Sequence, residues 1–153
     1  MNQITLGINQ SIYPIYDSPY REIKIDDAFI VDIILSQVSE AQQELLRGLV
    51  PAYGGWLYKP QEEQFVLQTL LPTQSSRCPI LICPDDQDFS CSVLLVEIVR
   101  QDELIHWKRL GWAKGEESSP QKLCAAVEWI VNDLNKVFDC AEYAKVVDEI
   151  QSL

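Results

Sequence analysis

Asp85, Asp86 and Asp88 stand close together in Cys83-Pro84-Asp85-Asp86-Gln87-Asp88-Phe89-Ser90-Cys91. Carboxylates packed this closely repel one another unless a cation, a backbone N–H or solvent relieves them. Carboxylate oxygens suit Mg²⁺ or Ca²⁺, so one reading is a divalent-cation-dependent hydrolase of unfamiliar type built on this cluster. The spacing Asp86-x-Asp88-x-Ser90, with Glu97 in twelfth place, superficially copies a calcium-binding loop. It fails at Cys91, where glycine must make the sharp turn, and at Ser92 to Val99, which reads as strand where the exiting helix should begin. The plainer reading is turn chemistry, since Asp bonds nearby backbone amides and charged turns discourage edge pairing. An acidic tip facing a partner is the functional alternative.

Nucleophilic catalysis needs a base within hydrogen-bond reach of a hydroxyl or thiol. The chain has one histidine, His106, between Ile105 and Trp107, a mid-strand setting that suits a packed or solvent-facing ring better than a base. No spacing ties Cys83 to it, and the apolar flanks of Cys83 mark a structural thiol. Cys78-x4-Cys83-x7-Cys91 lacks the paired short spacings that hold tetrahedral zinc, so no metal ligands are expected. Gly-rich phosphate loops, nucleophile elbows, zinc-protease helices and dinucleotide fingerprints are all missing, so neither catalytic residues nor a cofactor is expected. The remaining candidates are aromatic. If Ile105 and Trp107 pack inward, His106 and Lys108 lie outside; the opposite placement exposes Trp107 beside Arg109 as an interface anchor. Trp56, beside Gly54-Gly55, carries the same two readings.

The elements that must position these residues read as α+β: a single domain over residues 1–153, with a mainly antiparallel sheet of about four to six strands, flanking helices and a helical C-terminal third. Short extended segments are predicted over residues 3–8 and 11–16. Ile23 and Ile25 alternate with charged residues as in a half-buried strand, and Asp26 or Asp27 caps a helix carrying Phe29, Ile30, Ile33 and Ile34. Ser39, with Gln42 three residues on, imitates a capping box for a helix burying Leu45, Leu46 and Leu49 before Pro51. Pro60 opens another through Leu71.

Residues 79–83 and 90–99 are apolar, β-branched runs around the acidic turn, which is a hairpin signal, and Leu104 to Trp112 follows as a further strand. There Leu104, His106, Lys108 and Leu110 would share one face, and Ile105, Trp107, Arg109 and Gly111 the other. Gly115 to Ser119 reads as a mobile loop. Ser119 and Pro120 open a predicted helix carrying Leu123, Val127, Ile130, Leu134 and Phe138, and a last helix spans Ala141 to Ile150.

Composition narrows the function. Twelve Lys and Arg against 23 Asp and Glu give a net charge of −11, which repels phosphate backbones and argues against nucleic-acid binding. No run reaches the ~18 apolar residues that cross a bilayer, and no secretory leader opens the chain, so a cytoplasmic protein with no membrane partner is expected. Cys78, Cys83, Cys91, Cys124 and Cys140 are an odd set without a small-scaffold spacing, and read as free thiols.

The series Ile23-x-Ile25-Asp26-Asp27, Gly48-Leu49-Val50-Pro51 before Trp56, Cys83-Pro84-Asp85-Asp86-x-Asp88-x-Ser90-Cys91, and Trp107-x-Arg109-x-Gly111 resembles a group of small acidic bacterial proteins. In size and acidity these are similar to the immunity proteins of bacterial toxin systems. The resemblance covers roughly residues 20 to 112 and is most distinctive at the cysteine and aspartate segment. It implies a non-catalytic cytoplasmic protein that binds and neutralises a cognate toxin domain, a cationic one given the charge. Asp85, Asp86, Asp88, Trp107, Arg109 and Trp56 are then the partner-binding candidates. A third reading, a structural subunit of a larger assembly, expects an exposed apolar patch containing Trp56 or Trp107.

Overall fold

The computed structural model describes residues 1–9 and 20–152. In chain order these form β1 (Ile4–Asn9), β2 (Tyr20–Ile25), β3 (Ala28–Phe29), α1 (Ile30–Ser36), α2 (Glu40–Leu46), β4 (Val50–Pro51) and α3 (Pro60–Leu70). There follow β5 (Ser75–Ile82), β6 (Val93–Gln101), β7 (Leu104–Ala113), α4 (Pro120–Leu123), β8 (Val127–Val131), β9 (Lys136–Asp139) and α5 (Cys140–Gln151). The extended segment expected over residues 11–16 lies outside the described residues.

Among the described residues the strands make two antiparallel sheets. The larger runs β4-β5-β6-β7-β8, with β9 also on β7, and the smaller runs β1-β2-β3. The α+β class expected from the sequence is what the chain adopts. Its centre is the predicted hairpin, β5 and β6 paired from Ser75↔Val99 to Ile82↔Val93. Central β6 reads Val-Leu-Leu-Val with no polar alternation because both its faces are covered. Val93, Leu94, Val96 and Ile98 join the main core with side chains of α3 and α5, whereas Leu95 is fully buried apart from that core.

Leu95 and Cys124 are both buried outside the main core. The loop that carries Cys124 is held to the sheet by Arg77, which donates to the carbonyls of Cys124 and Ala125, each at 3.0 Å. The loop expected from Gly115 to Ser119 is closed at its base: the Gly115 amide donates to the Leu123 carbonyl at 2.8 Å and the Lys114 amide to that of Ala126 at 2.8 Å.

Strand β7 settles the facing of the aromatic candidates through a β-bulge. Ile98 pairs with Trp107 and Glu97 with Arg109, so Lys108 is an extra residue and the in-out alternation resets there. Ile105 and Trp107 point inward before the bulge, Leu110 and Trp112 after it. Arg109 therefore leaves the face of Trp107, correcting the strict alternation expected from the sequence. The carbonyl of Lys108 accepts from the Leu134 amide at 3.0 Å, where β8 gives way to β9 along the same edge.

The helix expected from Ser119 through Phe138 stops at Leu123. Its start is as predicted, with Ser119 accepting from the Lys122 amide and Pro120 at the first position. Beyond it, Val127-Glu128-Trp129-Ile130-Val131 and Lys136-Val137-Phe138-Asp139 are strands. The open edge of β7 recruits these β-branched and aromatic residues, and Asn135 at φ 50° supports the turn between them. Leu123, Leu134 and Phe138 are all buried, as a helical stripe would have them, but from separate elements. The last helix does form as α5, capped by Asp139 and burying Tyr143, Val146, Val147 and Ile150.

Elsewhere Asp26 and Asp27 make a tight turn at φ 50° and 68° instead of capping a helix. Asp26 accepts from the Asn2 side chain at 2.7 Å and the Gln3 amide at 2.8 Å. In α2, Ser39 caps through the Gln42 amide as expected, but only Leu46 of the helix is buried and Leu45 is 60% exposed. Pro51 does not stop α2; it sits in β4, paired with Leu81.

On the outer sheet face Arg109 forks onto Glu97, at 3.1 Å from Nε and 2.7 Å from a terminal nitrogen, and lies 3.8 Å from the centre of the Trp129 ring. The Arg109 hydrogen bonds hold the Glu97 carboxyl below its ordinary range, against the opposing effect of burial. A carboxyl depressed on folding contributes stability above its unfolded pKa of about 4.3, and that contribution fades as pH falls through the lower folded value. Glu97→Gln should therefore lower stability at neutral pH and flatten the acid side of the stability profile. Urea titrations at stepped pH check this; an unchanged acid limb would remove the pair from the account.

Candidate functional site

The hairpin tip, residues 83–92, is held in shape mainly by α3 and by its own turn. Pro84 and Phe89 are buried and anchor it. The Tyr58 amide donates to the Gln87 carbonyl at 3.2 Å, and the Phe89 amide to Glu62 Oε2 at 3.2 Å. Pro60 opens α3 as the sequence predicts, and its first turn brings Glu62 and the neighbouring Lys59 beside the hairpin. Glu62 Oε1 is enclosed with no hydrogen-bond partner, and desolvation raises this carboxyl above its ordinary range.

The three aspartates of the tip have different surroundings. Asp88 is buried and accepts from the Ser90 amide at 2.9 Å and from the Ser90 hydroxyl, with Lys59 Nζ at 3.5 Å. The Ser90 hydrogen bonds and Lys59 hold it below the usual carboxylate range, though burial opposes them. This is the turn chemistry expected of Asp in a loop. Asp85 and Asp86 are exposed. Among the described residues the three carboxylates do not gather into one cation-sized group. The group that does converge is Cys83, Asp86 and Cys91, whose ligand atoms all lie within 4.8 Å of one another.

Beside the tip is a groove of about 400 Å³, lined by Cys91, Val93, Gln42, Leu45 and Trp112, with Gly115 in the wall contributed by the loop ahead of α4. Gln42 fixes its floor, since Trp112 Nε1 donates to Gln42 Oε1 at 2.8 Å. The Gln42 side chain thus binds the sheet while its amide completes the Ser39 cap. Leu45 at the rim and Tyr58 near Asp88, 60% and 61% exposed, are among the few large apolar side chains open to solvent.

The other candidates lie elsewhere. Trp107 is 2% exposed, a core residue and not an interface anchor. Arg109 is committed to Glu97 and Trp129 on the outer face. Trp56 is half-buried and packs against the core near Gly54. His106 sits on β7 opposite Val99 and Val137.

Sequence reasoning missed the meeting of Cys83 and Cys91 and the exposure of Leu45. The first had a signal: both cysteines border the turn of a predicted hairpin, and pairing at Ile82↔Val93 brings such positions together. Comparison with known protein families, with curated proteins and with solved structures finds no match to this chain.

Proposed function

We propose that this chain is a non-catalytic binding protein that holds a cationic protein partner against the hairpin tip and the adjoining groove. The observation that carries the reading is the pairing of two exposed aspartates, Asp85 and Asp86, on a tip tied to α3, with exposed apolar Leu45 and Tyr58 nearby. An interface needs an apolar anchor and a polar rim, and negative charge steers a cationic partner toward it. The net charge of −11 extends that steering over the whole molecule. By its resemblance to immunity proteins, the partner proposed is a toxin domain that this chain neutralises.

Tagged protein expressed in its host tests the reading when three forms are compared: the unmodified chain, Asp85→Asn with Asp86→Asn, and Asp148→Asn with Glu149→Gln at exposed positions of α5. A basic partner should be retained by the first and third forms and lost from the second. Its association rate with the tip variant should fall on the order of tenfold at low salt, the difference closing as salt rises. Equal retention by all three forms would contradict the proposal.

A further inference from the structure

The same tip carries two thiols, Cys83 and Cys91, that charge-based recognition of a cationic protein does not use. We propose that Cys83, Asp86 and Cys91 form a binding site for a thiophilic divalent cation, with Zn²⁺ as the fitting ion. The site shares Asp86 and the Cys91 edge of the groove with the proposed partner surface, but its two cysteines can be replaced with Asp85 and Asp86 both left in place.

Geometry comes first. The two sulfurs and a carboxylate oxygen lie within 4.8 Å of one another. Tetrahedral zinc, with bonds of about 2.3 Å to sulfur and 2.0–2.2 Å to carboxylate oxygen, spaces such ligands roughly 3.4–3.8 Å apart. The adjustment is at most about 1.4 Å per pair, and Asp86 and Cys91 are exposed side chains that can change rotamer.

Preorganisation is the second argument. The tip keeps its shape through Asp88 and Ser90, Gln87 and Tyr58, and Phe89 and Glu62. None of these contacts uses a proposed ligand. Of the tip carboxylates, Asp88 is already occupied by Ser90 and Lys59, and Asp86 is the one whose oxygen lies beside the two sulfurs.

The donor set selects the ion. Two thiolates with one carboxylate favour zinc over Mg²⁺ or Ca²⁺, which need shells of hard oxygen. Three protein ligands leave a fourth position for water, the open arrangement of a zinc site that is not fully closed. Ionised, the ligands carry three negative charges, and the ion removes two of them from a tip that also holds Asp85.

The test uses the full chain, reduced and stripped of metal, titrated with Zn²⁺ against a competing chromogenic chelator and read by native mass spectrometry. One zinc per chain is expected. Co²⁺ in its place should give a thiolate-to-cobalt charge-transfer band. Cys83→Ser with Cys91→Ser should abolish both signals, and Cys140→Ser should change neither. Asp86→Asn, at an exposed position compatible with the fold, should weaken zinc by roughly tenfold or more, at least the loss seen on removing an outer-shell partner. The proposal is overturned by no uptake in the reduced chain, or by uptake that survives the double serine variant. A Cys83–Cys91 disulfide in protein isolated without reductant would equally assign the pair to redox chemistry instead of metal. Partner retention by the cysteine variants separates failure here from failure of the binding reading.

Discussion

Trp107→Ala is expected to remove about 3–5 kcal/mol of folding stability, a large share of the 5–15 kcal/mol typical of a domain. The indole is 2% exposed and packs edge-on to Phe138 and Tyr143, with ring centres 5.6 and 6.4 Å away. Truncation leaves a cavity where β7, β9 and α5 meet. It also ends a buried relay in which Trp107 Nε1 donates to the Tyr143 hydroxyl at 3.1 Å and that hydroxyl donates to the Leu70 carbonyl at 2.6 Å. Tyr143→Phe isolates the relay: it keeps the ring, strands both partners and should cost about 1–3 kcal/mol. Urea denaturation of both variants gives the ranking. A loss for Trp107→Ala no larger than that for Tyr143→Phe would mean that the indole does not fill the core as described.

Gly115→Ala should cost about 1–3 kcal/mol, an overpacking penalty at a position that looks like ordinary loop. A Cβ at Gly115 would sit 1.9 Å from the Lys122 carbonyl oxygen and 2.6 Å from that of Leu123. Both obstacles are backbone, so no side-chain rotation relieves them, and the Gly115–Leu123 hydrogen bond at 2.8 Å must open. The loop would shift away from its closed position and move one wall of the groove. Thermal unfolding measures the stability loss, and faster amide exchange over residues 114–126 should accompany it. A variant as stable as the parent, with unchanged exchange, would show that the loop is not closed at this point.

The fold was legible wherever local pattern and tertiary context agreed. Apolar runs flanking Pro84 to Asp88 marked the β5–β6 hairpin, and Ser39, Pro60 and Ser119 with Pro120 marked helix starts. It was misread where they diverged. Leu123, Val127, Ile130, Leu134 and Phe138 have helical spacing, but an open β7 edge outweighs periodicity and draws Val127–Val131 and Lys136–Asp139 into the sheet. No residue type at Lys108 announces the bulge that separates Trp107 from Arg109, because it is set by how β7 fits β6 and the β8–β9 edge.

The site was legible in part. Asp85 to Asp88 marked the tip, but burial of Asp88 depends on Ser90 and α3, contacts made only once the hairpin docks. Leu45 counted as core by its neighbours in sequence, whereas α2 turns it toward the groove. The site proposed from the structure uses Asp85 and Asp86 for charge and Leu45 and Tyr58 for apolar contact, and leaves out Trp107, which is buried.

Amide hydrogen exchange of the chain, free and bound to its captured partner, addresses the binding surface most directly. Slower exchange should be confined to residues 83–92, α2 and the loop opened by Gly115, with β1 and α5 unchanged. Protection centred on β1 and α5, with the hairpin tip exchanging as in the free chain, would place recognition away from the tip and contradict the account.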